Sequence, residues 1–489
     1  MHDLVHDMAR HVMKHDCLVI EPACNEVKIP DEVLHLSSSC PDEKLILSSE
    51  DLGKLTSLRS IFMFGEGDED CISQLFNHMY VRVLHLALTK LRTLPESICK
   101  LKHLRYLNLS KSSIEALPES IMYLQNLQVL ILCYCRKLCK LPESICKLRY
   151  LKYLTLLRSG IEVLPNNLKD MISLQRLDIN DCHSLRHLPF GIGKLTSLRM
   201  LPRFPVGKKR GAKISELGDL NFLEGKLEIE GLENVGGLSE AKSANLKSKT
   251  NLSVLVLKWS DSGNFWPERR FPYIEEEVLE GLEPNPSLEI LRMYGFKGKT
   301  ISPSWMDNLR NLVEIVFFGC KKCEHIPPLG RLPSLRVIQL VSMLSLKCFH
   351  DDDINMSADN NDMFICLQRL EIIWCGELIS LPNNLPKLED LELKKCDKVI
   401  SLPCNLPSIR KLKLLFCDGL LSLPDEIQSF KDLNKLEIIR CKHLSKRCKT
   451  EKGEDWPKIS HIPDLSIIPC WWEVSRHDDN DDEEEIDES

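Results

Sequence analysis

The sequence predicts an α/β solenoid, and three observations carry that prediction: a recurring L-x-x-L-x-L pattern, a small polar or thiol residue at one slot after it, and a Leu-Pro pair closing many units. Self-similarity at a near-fixed period marks stacked repeats, in which one unit cannot bury its own apolar face and neighbours share a core. The triplets begin at Val81, Leu104, Leu127, Leu151 and Leu174, then at Leu252, Leu288, Leu312, Leu335, Leu367, Leu388, Ile409 and Leu433. The early starts are 23 or 24 residues apart, within the roughly 20 to 29 of a leucine-rich repeat. The expected architecture is a leucine-rich-repeat horseshoe, with a parallel β-sheet on the concave face and irregular or short helical convex segments.

Inside a unit the strand alternates with period two. Leu107 and Leu109 point inward, which leaves Tyr106 and Asn108 to face out. Three residues after the last strand apolar stands a cysteine in seven units: Cys135, Cys182, Cys320, Cys375, Cys396, Cys417 and Cys441. Thr89, Ser112 and Ser159 hold that slot in others. A small side chain with a polar tip fits a tight turn while hydrogen-bonding strand-end backbone groups. Leu94-Pro95, Leu117-Pro118, Leu141-Pro142, Leu164-Pro165, Leu188-Pro189, Leu381-Pro382, Leu402-Pro403 and Leu423-Pro424 end their units because proline fixes φ and lacks an N–H.

A chain of 489 residues would ordinarily split into about three domains, but a solenoid has no such limit, and one continuous array with an irregular middle is expected. The hydrophobic content of 43% suffices for a core, and the longest apolar runs fall short of the roughly 18 residues a membrane helix needs. The opening residues lack the basic-then-apolar order of a secretory signal, which favours a cytoplasmic or nuclear location. A framework of disulfides from the 21 cysteines belongs to short secreted chains. Cys320-Lys321-Lys322-Cys323 is a lone C-x-x-C without a second ligand pair, so structural thiols are expected and no metal.

Nine carboxylates between Asp478 and Glu488 account for the charge of −7, and without them the balance is +2. Such a run repels itself and reads as a disordered tail serving solubility, with a basic partner surface as the alternative. The even charge elsewhere gives no nucleic-acid footprint. Common phosphate, zinc-peptidase and acyl-transfer signatures are absent, so no enzyme is expected. Gly207-Lys208-Lys209-Arg210-Gly211 and Gly298-Lys299-Thr300 lack phosphate-loop spacing and read as structural basic loops.

In chain order, residues 1–20 read as a helix carrying His2 and His6, then His11 and His15, at i,i+4 spacing. Residues 21–64 are a connector with a degenerate first repeat at Leu55, Leu58 and Ile61; 65–201 are regular repeats; 202–310 are irregular, with an insertion from Trp259 to Pro272; 311–470 are repeats again, interrupted by Asp351 to Asp362; and 471–489 are the acidic tail.

The sequence resembles the C-terminal part of plant intracellular immune receptors, the coiled-coil nucleotide-binding leucine-rich-repeat disease resistance proteins. Met1-His2-Asp3-Leu4-Val5-His6-Asp7 looks like the MHD motif that closes the winged-helix part of the nucleotide-binding module, making 1–20 a remnant of it. Phe204 to Lys208, Ile214 to Gly218, Leu232 to Val235, Ala244 to Lys249, Pro303 to Met306 and Gly453 to Ile459 look like segments of the same family. The resemblance implies that His2 would approach bound ADP. With the P-loop and signalling coil missing from this chain, no cofactor is expected, ADP or ATP entering only in a full-length receptor.

The implied function is recognition and autoregulation in plant defence by non-covalent contact with a pathogen effector, a guarded host protein or a nucleotide-binding module, with no nucleic acid and no membrane span. A stand-alone leucine-rich-repeat scaffold or adaptor is the alternative. Outward strand positions are the candidate contacts: Tyr106, Asn108, Tyr153, Thr155, Arg176 and Asp178, then Arg369, Glu371, Glu392, Lys394, Lys411, Lys413, Lys435 and Glu437. Their mixed charges suit steering and specificity. Trp374 and Phe416, matched in two units, either anchor a partner or pack against adjacent turns.

Overall fold

The computed structural model describes residues 16–20, 32–38, 49–64, 69–208, 210–260, 273–349 and 364–469. The chain divides into two compact units, Met1–Ile229 with Ser243–Asn245 and Glu230–Lys242 with Leu246–Ser489. The division falls inside the segment that the sequence marks as irregular.

The first unit contains a sheet of eight strands in chain order: β1 (Cys17–Ile20), β2 (His35–Ser38), β3 (Ser60–Phe64), β4 (Val83–Ala87), β5 (Tyr106–Asn108), β6 (Val129–Ile131), β7 (Tyr153–Thr155) and β8 (Arg176–Asp178). All neighbours pair parallel, so that Leu84, Leu107, Leu130, Leu154 and Leu177 stack in one buried row. The helix expected over residues 1–20 is corrected at its end, where Cys17–Ile20 pairs with His35–Ser38 as strand. Its alternating burial shows why: Leu18 and Ile20 turn inward on the period of a strand. Residues 1–15, with His2 and both histidine pairs, lie outside the described residues, as do most of the two insertions and the acidic tail. Leu55, Leu58 and Ile61 are buried as a repeat requires. Two further strands, β9 (Arg203–Pro205) and β10 (Glu224–Glu230), follow in the chain.

The second unit stacks β11 (Asn251–Lys258), β12 (Ile290–Tyr294), β13 (Glu314–Phe318), β14 (Val337–Val341), β15 (Arg369–Ile373), β16 (Asp390–Lys394), β17 (Lys411–Leu415), β18 (Lys435–Ile439) and β19 (Asp464–Ile468). Every pair is parallel and in register, giving the row Leu370, Leu391, Leu412, Leu436 beneath the sheet. All thirteen triplet starts are buried in one unit or the other.

The convex segments are short because proline shapes them. Pro95, Pro118, Pro142 and Pro424 hold extended backbone, with ψ of 145 to 154°, and a 3-10 turn of five residues follows each. Proline here opens a turn, where its missing N–H has no partner to lose. Carboxylates then tie one repeat to the next. Glu216 accepts the amides of Gly191 and Gly193 at 3.0 and 3.1 Å, Glu143 accepts that of Asn166 at 2.9 Å, and Glu276 accepts those of Lys299 and Thr300 at 3.0 Å. Each clamp satisfies backbone donors that the turn leaves without a ladder partner.

The thiol slot works as its chemistry requires. All seven cysteines are buried. Cys135, Cys182 and Cys441 donate to the carbonyls of Leu109, Leu156 and Leu414 in the preceding repeat at 3.2, 3.0 and 3.3 Å. Cys396 donates likewise to Ile372 at 3.5 Å. The residue before each slot is left-handed: Lys111, Tyr134, Arg158, Asp181, Gly295, Gly319, Ser342, Trp374, Lys395, Phe416 and Arg440 have φ between 53 and 68°.

A buried charge closes the second unit. Asp455, with no exposed surface, pairs with Arg447 Nε at 2.8 Å and Lys458 Nζ at 2.9 Å and accepts the Leu423 amide at 3.4 Å. Burial works against its charge, but these donors prevail and hold the carboxyl below its ordinary range. The resemblance segment Gly453 to Ile459 thus acts as a lock on the last repeats.

Candidate functional site

The outward strand positions of the first unit are less available than alternation suggests. Asn108 and Asp178 are buried, which corrects their reading as outward contacts. Asn108 Oδ1 accepts the Ser110 amide at 2.9 Å, and its Nδ2 lies 3.2 Å from His85 Nδ1 and 3.4 Å from the Tyr106 hydroxyl. Asp178 accepts the Asn180 amide at 3.2 Å and pairs with Arg176 at 3.7 Å. A short Asx side chain cannot reach past its own strand, so it folds back on the amide two residues ahead. Tyr106, Thr155 and Arg176 are half-buried, whereas Tyr153 is exposed and its hydroxyl donates to Gln175 at 3.4 Å.

The second unit brings its candidates together on one sheet. Arg369 pairs with Asp390 at 3.3 Å, Asp390 with Lys411 at 3.8 Å, and Lys413 with both Glu392 and Glu437 at 3.8 and 3.9 Å. Lys435 joins Glu437 at 2.8 Å and Asp464 at 3.1 Å, which keeps its ammonium above its ordinary range. These chains of alternating charge surround a recess of about 210 Å3 lined by Arg369, Glu371, Asp390, Glu392, Lys411 and Lys413. Glu371 faces Glu392 directly across the strands. Partial burial, then the Glu392 charge, raises its pKa. Lys394 is half-buried at the strand end beside this network.

Trp374 and Phe416 occupy the left-handed slot at the strand-end rim. Trp374 is 51% exposed, so packing against adjacent turns leaves half of it open. Phe416 is half-buried with Lys395 Nζ 5.1 Å and Arg440 Cζ 5.7 Å from its ring centre. Sequence reasoning missed His85, flanked by Phe62 and Phe64 at 5.9 and 4.7 Å, and the exposed Phe318, stacked obliquely on Tyr294. The outward phase of their strands was the available signal.

Among the described residues no group of three His, Cys, Asp or Glu side chains is arranged to hold a metal, and no helix is long and apolar enough to cross a membrane. Burial pushes Cys320 and Cys323 up to about 12, which keeps them as thiols. The Gly298 loop gives its Lys299 and Thr300 amides to Glu276, leaving no cradle for phosphate. Gly207 closes on Ala212 at 2.9 Å, with Lys213 donating to the Lys208 carbonyl at 3.0 Å, so that loop is an internal turn. Asn108-Leu109-Ser110 has the form of a glycan acceptor, but Asn108 is buried and cannot carry one.

Two family models match, one described as R13L1/DRL21 LRRs over residues 214–343 and one as a leucine-rich repeat region over residues 57–184. The chain is similar to Disease resistance protein RGA2 of Solanum bulbocastanum, 39% identical over 145 residues, which are 29% of this chain and 14% of that protein. It is 30% identical over 225 residues to Putative disease resistance RPP13-like protein 1 of Arabidopsis thaliana, covering 38% of this chain and 21% of the relative. The match therefore spans a minor part of either relative. A solved leucine-rich-repeat protein of Leptospira interrogans shares the fold with a TM-score of 0.51 at 19% identity, covering 85% of this chain and 91% of that one. The chain is a leucine-rich-repeat solenoid similar to the repeat regions of plant disease resistance proteins.

Proposed function

We propose that this repeat region recognises a protein partner in plant defence, whether pathogen effector, guarded host protein or nucleotide-binding module, through the charged concave face of its second unit, and that this contact regulates the receptor. The observation that carries the reading is the network from Arg369 to Asp464, in which ion pairs link charged side chains on five adjacent strands. Exposed pairs of this kind stabilise a fold by only about 0.2 to 1 kcal/mol each. Ordered charge is better suited to fixing the register of a partner and repelling wrong ones. The similarity to disease resistance proteins supplies the biological setting. Catalysis has no part in this reading.

The test is proximity labelling in infected leaf tissue with the wild-type chain and with Lys411→Glu combined with Lys413→Glu. Proteins enriched by the wild type should drop at least tenfold with the double variant, at equal abundance. An unchanged set of labelled proteins would overturn the assignment to the concave face.

A further inference from the structure

We infer that the strand-end rim of the second unit docks an acidic, amphipathic helix of a protein partner, read by the row Trp374, Lys395, Phe416 and Arg440. The inference rests on the recognition role proposed above and names the chemistry of a second contact. The four residues hold the left-handed slot of four successive repeats, with φ of 59, 56, 54 and 53°. Their amides donate to carbonyls of the following repeat, at Lys394, Leu415, Ile439 and Ile468, with distances of 2.7 to 2.9 Å, so the backbone of the row is fixed.

Side-chain choice in this slot is free of the fold. Gly295 and Gly319 occupy it in β12 and β13 repeats at φ of 67 and 68°, where glycine carries no steric penalty. A side chain in the same backbone brings its Cβ against the following carbonyl oxygen. Trp374 and Phe416 nevertheless stand there, one of them half exposed. Three more apolar residues share another slot five positions on: Ile379, Ile400 and Leu421 are 55, 59 and 55% exposed. Large apolar side chains exposed at the same slots of successive repeats mark an interaction site.

Charge selects the partner. Lys395 and Arg440 flank the Phe416 ring, and Lys394 adjoins them on β16. Among the described residues none of these three cations has an ion pair. The first unit carries the same sandwich, Lys111 and Arg158 each 5.7 Å from the Tyr134 ring, but there Arg158 is neutralised by Asp181 at 2.8 Å. The arginine of the row is thus paired in the first unit, whereas both flanking cations are open to carboxylates in the second.

Spacing selects the helix. Adjacent strands lie about 4.8 Å apart, which puts Lys395 and Arg440 about 10 Å apart with Phe416 midway and Trp374 about 5 Å outside. An α-helix rises about 10.5 Å in seven residues. Acidic residues at i and i+7, with apolar ones at i−3 and i+3, therefore lie on one face and meet the four rim residues in order.

The probe is a fluorescein-labelled helical peptide with glutamate at i and i+7 and leucine at i−3 and i+3, titrated with the full chain and read by anisotropy. It should bind saturably, and Lys395→Glu with Arg440→Glu, or Trp374→Ala with Phe416→Ala, should weaken it at least tenfold. Lys395→Gln with Arg440→Gln, which keeps side-chain bulk, should weaken it in the same direction if the glutamate pair fails to fold. The concave variant Lys411→Glu with Lys413→Glu should bind as wild type. Equal binding of a peptide carrying lysine at i and i+7, retention by the folded rim variants, no binding at all, or tighter binding of oligothymidine would each overturn the inference. Loss with the concave pair alone would also overturn it while leaving the recognition role standing.

Discussion

The two units place different side chains at one repeat position, the residue between the two inward apolars of the strand. In β5 and β8 it is Asn108 and Asp178; in β15 to β18 it is Glu371, Glu392, Lys413 and Glu437. The short side chains turn back on amides two residues ahead and disappear from the surface. The longer ones reach neighbouring strands and remain half-exposed. One or two methylenes thus decide whether the position builds the solenoid or presents charge. The lesson is that alternation fixes which side of a strand a residue takes, while side-chain length fixes whether that side is usable.

The comparison can be broken first at its foundations. Asp455→Ala removes the buried carboxylate between Arg447 and Lys458 and leaves them the exposed Glu454 and Asp425 as partners, and it should cost about 3 kcal/mol in denaturant unfolding of the second unit. The same residue sets a pH dependence. Because its folded pKa lies below the ordinary 3.8, its contribution is complete above that value and is lost as pH falls through the folded pKa. Melting of Asp455→Asn between pH 5 and roughly pH 2 should fall less steeply than wild type.

Leu412→Ala and Leu154→Ala remove equivalent core methylenes, and each should cost about 2 to 5 kcal/mol. Similar losses would place the difference between the units in their faces; a loss confined to one would place it in their cores. Sharper still is the matched pair Asn108→Ala and Glu371→Ala. The first leaves the half-buried Ser110 amide without its acceptor and should cost about 1 to 3 kcal/mol. The second relieves a like-charge pair and should change stability by less than about 0.5 kcal/mol. Smallest of all should be the thermal effect of Lys411→Glu with Lys413→Glu, about 1 kcal/mol or less, despite its loss of partner binding.

Much of this was legible in the sequence because repetition averages out local ambiguity. A single apolar triplet such as Leu252 to Leu257 could be strand or helix, but thirteen in phase could only be stacked strands. The thiol slot was legible for the same reason, since turn geometry restricts it in every unit. Residues 17–20 were misread because an isolated four-residue strand carries too few alternations to outweigh helix-like surroundings. Asn108 and Asp178 were misplaced because alternation records phase and contains nothing about reach. The matching positions of Trp374 and Phe416 were legible, but their left-handed backbone was not: eleven repeats put residues as different as Lys, Tyr, Trp and Gly there, so no residue type signals it.

The buried thiols have a practical consequence. Cys375, Cys396, Cys417 and Cys441 lie in consecutive repeats of the second unit, and hydrogen bonding to Cys417, with burial, pushes Cys396 and Cys441 well above the ordinary thiol range. A sulfur sealed from solvent lies beyond a reagent's reach whatever its charge, whereas Cys139 and Cys404 are exposed. Alkylating reagents should therefore mark those two at once and reach the sealed set only when its repeats open, so that mass spectrometry of a labelling time course becomes a clock for local unfolding, written into the chain by the residues that make its turns.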